Sequence, residues 1–290
     1  MNYGYHIPYG LFLPTRNPDG TIAQGIDGYG KPQDGWAAPL FDTLIGVANI
    51  NMDPVTFQVF CVNQDGSFKH WPDGRDHGDW TLQRGRSIAT TFIKDNVWPA
   101  PPQDWRGYIE IACDNELAIH CLIGGGGLYP KYWNIYGAGV PVYCGEPGNN
   151  QTRILKKHSS FVLPYAIPYF SDPNHGPAAA SKLGMIDFSY RSGLVLTNFD
   201  YDVSVVATIT FTVGDVYALA GHTFSFKSSL KPRESTAVDV YTELLKAAYP
   251  AGENAEGFLQ VTLDQKAYFV PYLINQNNGY DSFSCGETCA

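Results

Sequence analysis

The densest group of side chains able to do chemistry is the run His70, Trp71, Pro72, Asp73, Gly74, Arg75, Asp76, His77, Gly78, Asp79 and Trp80. Trp71 and Trp80 could stack on sugar rings, while Asp73, Asp76 and Asp79 with His70 or His77 could supply oxygen and nitrogen donors. Trp71, Asp73, Asp76, His77 and Trp80 are therefore the candidate ligand-binding set, with a glycan as the partner they would take. The competing reading is a polar hairpin tip rich in Asp and Gly, and nothing like it stands at Val216 to His222 downstream.

Other chemistry is scarce. Gly124 to Gly127 lacks the following Lys and Ser/Thr of a phosphate-binding loop and reads as a joint. No Gly-x-Ser-x-Gly, His-Glu-x-x-His or Cys-x-x-Cys motif occurs. No catalytic residue and no cofactor is expected. Of the six cysteines, Cys61, Cys113 and Cys121 sit in alternating apolar runs and read as small buried hydrophobes. Cys144, Cys285 and Cys289 sit in Gly-rich, non-periodic sequence and are the disulfide candidates. No set of four ligands has zinc-like spacing, so no metal is expected.

These residues must be positioned by β structure. The chain has 14% aromatic residues, 30 Gly, 20 Pro and only 3 Met, with Val, Ile, Thr, Tyr and Phe in short runs. A formal net charge of -9 argues against a nucleic-acid partner, because binding phosphates needs clustered basic groups. No apolar run approaches the length that spans a bilayer. Met1 to Pro8 has no basic stretch leading into an apolar core, so no export signal is expected there.

One pattern occurs twice, at an offset of about 150 residues. Residues 46–60 and 195–209 each read as an apolar strand, an Asn-containing turn and a second alternating strand. Gly turns follow, then a strand, a basic turn (Arg84 to Ser87; Lys231 to Ser235) and another strand. Residues 107–114 match 257–264, each a Gly-aromatic strand ending in Asp, and a last strand follows. Short strands with such turn signals indicate sandwiches. Helical spacing appears only over 240–249.

The expected fold is all-β: two tandem antiparallel, jelly-roll-like β-sandwiches with long loops and one short helix. Residues 1–123 form the first, 124–160 a Gly- and aromatic-rich linker, 161–275 the second, and 276–290 a Cys-containing tail. Tyr129, Tyr132, Trp133 and Tyr136 in the linker are too apolar to remain solvated and are candidate interface residues.

Each copy resembles the small β-sandwich of the sensory rhodopsin transducer family. The matching positions are Asn49 and Asn198 in the Asn turn, Arg86 and Arg233 in the basic turn, and Asp114 and Asp264 at the closing corner. The resemblance implies oligomerisation and, as one reading of function, a cytoplasmic sensory transducer. Duplication, long contact loops and a surface rich in Tyr, Asn and Gly favour a different reading. The chain is then a non-enzymatic structural protein of a large homo-oligomer, in the form of a tailed-phage virion component (collar, neck, tail or decoration protein). Its partners are its own copies and other assembly proteins. A carbohydrate-binding module using the Trp71 to Trp80 hairpin is the alternative.

Overall fold

A computed structural model of the chain describes residues 3–14, 16–26, 32–37, 39–71, 73–91, 104–125, 136–145, 153–171, 189–277, 282–285 and 288–289. The chain divides into two compact units, Met1–Leu155 and Lys156–Ala290. Both are built from antiparallel pairings, apart from one short parallel pair in the first unit, Tyr143–Cys144 with Arg153–Ile154.

In the first unit, one layer runs β6 (His77–Leu82), β5 (Val55–Asn63), β8 (Trp105–Cys113), β1 (Tyr3–Pro14), β11 (Tyr143–Cys144) and β12 (Arg153–Ile154). The other runs β10 (Tyr136–Val140), β9 (Ala118–Gly125), β4 (Pro39–Ala48) and β7 (Ser87–Thr91). The far end of β1 crosses to pair with β4 and joins the layers. A hairpin, β2 (Gln24–Ile26) with β3 (Pro32–Ala37), stands apart. Alternation of apolar residues decides which faces turn inward. Val55, Phe57, Val59 and Cys61 of β5 are buried while Thr56, Gln58 and Phe60 between them are only partly covered.

The second unit repeats this arrangement, without a counterpart of β12 or of the β2–β3 hairpin among the described residues. One layer runs β16 (Thr223–Leu230), β15 (Val205–Val213), the first half of β18 (Ala255–Asn277), β13 (Lys157–Ser171) and β20 (Thr288–Cys289). The other runs β17 (Ser235–Asp239), β14 (Ser189–Asn198), the second half of β18 and β19 (Ser282–Cys285). The one helix, α1 (Val240–Lys246), follows β17 and buries Val240, Tyr241 and Leu244 against the core. Its counterpart region around Asp95 lies outside the described residues.

The turns repeat in their hydrogen bonding, with one acceptor shifted by a residue. The Asn49 side chain donates to the carbonyls of Asp53 and Leu82 at 2.8 and 3.0 Å and accepts the Asn51 N–H at 2.8 Å. Asn198 donates to Val203 and Lys231 at 2.7 and 2.9 Å and accepts the Asp200 N–H at 3.1 Å. Backbone N–H groups of Asn49 and Asn198 donate to the carbonyls of Arg86 and Glu234. Arg86 thus corresponds to Glu234, and the counterpart of Arg233 is Gly85, one residue from the expected alignment. Both occupy the left-handed region, at φ +64 for Gly85 and +62 for Arg233.

Gly107 and Gly257 also correspond. An added Cβ would lie 1.8 Å from the Val62 carbonyl oxygen in one and 2.0 Å from that of Thr212 in the other. Only glycine lets the adjacent strand approach there.

Two expected segments take a different form. Part of the stretch read as a linker supplies β10 and β11, and the stretch read as a tail supplies the equivalent β19 and β20. Cys144 faces Tyr5 in the ladder, and Cys289 faces Phe161 at the equivalent place. Short two- to five-residue strands flanked by glycine carry too little alternation to be read from sequence. A further difference lies at the closing corner. The first unit turns between β8 and β9, whereas β18 continues through, with a register break against β13 between His158 and Ser160.

Candidate functional site

β6 is the edge strand of its layer, and the loop before it carries the polar and aromatic cluster singled out from sequence. Trp71 N–H donates to the Arg75 carbonyl and Gly74 N–H to the Trp71 carbonyl, both at 2.8 Å, which closes a tight turn around Gly74 at φ +82. That turn returns Trp71 onto the strand. Its ring lies against Gly78, where a Cβ would meet both Trp71 and Trp80 ring carbons at 2.7 Å.

Trp71 and Trp80 pack edge to face with centroids 5.3 Å apart, and Trp80 stacks on the buried Phe57 at 5.6 Å. These rings close the side of the core. They do not form a flat paired platform, the geometry that stacking on a sugar would use.

Of the polar members, His77 and Asp79 lie on the face of β6 opposite Trp80, because side chains alternate along a strand, and His70, Asp73 and Asp76 lie in the preceding loop. Arg75 spans two carboxylates, with Nε 2.6 Å from Asp73 Oδ2 and Nη1 in close contact with Asp79. Gln58 donates to Asp79 Oδ1 at 3.0 Å and lies 2.9 Å from His77 Nε2. His70 Nδ1 is 2.8 Å from Asp76 Oδ1. Hydrogen bonds from the Arg75 backbone and guanidinium hold the Asp73 carboxyl below the usual range, and those from Gln58 and Arg75 do the same for Asp79. The carboxylates are thus committed to neighbours within the hairpin. Among the described residues no group of three or more His, Cys, Asp or Glu is placed to hold a metal ion.

Of the candidate set, the structure brings Trp71 and Trp80 together. It places Asp73 with Arg75, Asp76 with His70, and His77 beside Gln58 and Phe60, whose ring is 5.1 Å away. Tyr129, Tyr132 and Trp133 lie outside the described residues, as does the side chain of Tyr136, whose backbone begins β10. Cys144 is fully buried, as are Cys61, Cys113 and Cys121, and no disulfide joins these four. Burial pushes the Cys113 thiol up to about 12, with Cys144 adding to the effect. The side chains of Cys285 and Cys289 lie outside the described residues.

Sequence reasoning passed over a cross-strand row on the outward face of the first unit: His77, Phe60, Glu110, His6 and Tyr143. His6 Nδ1 is 3.6 Å from Glu110 Oε1, and Glu110 is only 9% exposed. The same row in the second unit reads Ser225, Thr210, Gln260 and Val162. The signal was available in the repeat itself, as Glu110 aligned with Gln260.

No known protein family matches the chain, and no curated protein does either. Among solved structures, vicilin from Corylus avellana (hazelnut) is similar over 92% of this chain and 74% of that one, at 10% identity and a TM-score of 0.13. That likeness is too slight to carry an argument. No helix among the described residues is long and apolar enough to cross a membrane.

Proposed function

We propose that this chain is a non-enzymatic building block of a large homo-oligomeric assembly, and specifically a virion component of a tailed phage. The observation that carries the reading is the duplication of one sandwich frame, turn for turn, with divergence concentrated on outer faces and edges. Such a frame presents surfaces. The second unit exposes Tyr165, Tyr201, Tyr268, Phe258, Leu245 and Val216, side chains of the kind that gain most from contact with other copies. The commitment of Asp73, Asp76 and Asp79 to partners inside the hairpin favours a structural use of that loop over ligand capture.

Light scattering and negative-stain microscopy of the purified full chain test the assembly reading. Rings or higher polymers are the expected result, and a monomer at every concentration would contradict it. Mass spectrometry of purified phage particles tests the virion form, which falls if the chain is missing from them.

A further inference from the structure

Gly78 of β6 and Phe226 of β16 occupy the same place in the two repeats. The pairings Phe60 with His77 and Thr210 with Ser225 fix this correspondence. In the first unit the Trp71 ring returns over Gly78 and Asp79 is held by Arg75, so the loop preceding the edge strand packs back onto it. In the second unit a tight turn through Gly221, at φ +74, enters β16 directly. Phe224 and Phe226 pack only partly against the core, and among the described residues no strand pairs with the outer side of β16.

The phase of the ladder determines what that edge presents. Val213 N–H donates to the His222 carbonyl at 3.0 Å, so the bonded pairs continue through Phe211 with Phe224 and Ile209 with Phe226. Thr223, Ser225, Lys227 and Ser229 therefore direct their N–H and C=O groups away from β15. All four side chains are exposed, and Lys227 is the sole charge on the strand. Long, regular edges lacking Pro or a bulge are templates for another strand.

We infer that β16 pairs antiparallel with β16 of a second copy of this chain, across a two-fold axis at Phe226. This rests on the homo-oligomer reading and names its contact. The occupant follows from self-complementarity. In this register Thr223 faces Ser229 of the other copy and Ser225 faces its Lys227, so every outward backbone group finds a partner and lysine never faces lysine. The two Phe226 rings meet on the core side, covering what Trp71 covers in the first unit. An axis at Lys227 would oppose two ammonium groups, and one at Ser225 would leave Ser229 without a strand partner.

The test is sedimentation of the full chain and three variants. Lys227→Pro removes an outward N–H and leaves the β15 ladder bonds in place; association should weaken at least roughly tenfold. Ser225→Lys should weaken it several-fold by facing Lys227, and Ser225→Glu should tighten it several-fold. Circular dichroism confirms that each variant is folded. If the wild type associates but none of the three changes its affinity, β16 is not the contact, although the assembly reading stands. Weakening by Ser225→Glu would overturn the register, and a wild type that never associates would overturn both.

Discussion

Gly78 and Phe226 stand at one position of a repeated frame, and an aromatic cover is present over only the first among the described residues. Over Gly78 it is Trp71, delivered by a loop of the same unit; over Phe226 the described residues provide none. The outward faces differ in the same sense. β8 is buried on both faces through Tyr108 and Glu110, whereas the matching part of β18 alternates strictly between buried Leu259, Val261 and Leu263 and exposed Phe258, Gln260 and Thr262. The two units share what holds the layers together and differ in what faces outward. The retained elements are backbone solutions: the Asn brackets, the left-handed residue in the basic turn, and the glycine where two strands nearly touch.

The shared frame can be attacked most severely at the glycines. Gly107→Ala and Gly257→Ala each force a Cβ into a neighbouring carbonyl and should cost about 3 kcal/mol or more, read as a drop in the denaturation midpoint. Near-equal losses would support equivalence; a loss in one unit alone would break it. Next come the brackets. Asn49→Ala and Asn198→Ala each strand two carbonyls and an N–H, and should cost about 2 kcal/mol each by the same measurement.

Trp71→Ala sharpens the contrast between edges. Half-buried as it is, its loss should cost about 1.5 kcal/mol, below the range for a fully buried Trp. It should also uncover β6 and add a new concentration-dependent association, seen by light scattering.

The smallest effect concerns Lys157 and Asp200, 2.8 Å apart in the second unit. Burial pushes the Asp200 carboxyl up, but the hydrogen bond from Lys157 and backbone N–H groups outweigh it and leave the carboxyl below its usual range. Lys157 is raised by the same pair. The Asp200 contribution is present above the unfolded carboxyl value and lost as pH falls through the folded one. The Lys157 contribution is full below the unfolded ammonium value and lost as pH rises through the folded one. Because Lys157 is substantially exposed, solvent screening keeps the contribution of the pair small. Lys157→Met should lower thermal stability slightly at neutral pH and converge on the wild type in acid.

Much of the frame was legible in the sequence because alternation and turn chemistry are local. Residues 205–213 alternate without a fault, and the Asn and Gly turns announce themselves. The strands β10, β11, β19 and β20 were not legible, since their pairing is decided by partners far away in the chain rather than by their own residues. The one-residue offset at Arg233 is hidden in the sequence because Gly is the usual occupant of that conformation, and the two basic turns align most readily arginine on arginine. The hairpin cluster is legible from composition, but the faces its side chains take are not. Alternation along β6 separates Trp80 from Asp79, so a ring and a carboxylate adjacent in sequence face opposite ways.

Hydrogen exchange of the full chain, at low and high protein concentration, compares the two edges within one sample. Amides of residues 223–230 should gain protection as concentration rises, while those of 77–82 stay unchanged because Trp71 and Arg75 already pack onto that edge. Equal gains in both strands, or none in 223–230 under conditions where the chain associates, would contradict the division between an edge packed by its own loop and one closed by a second copy.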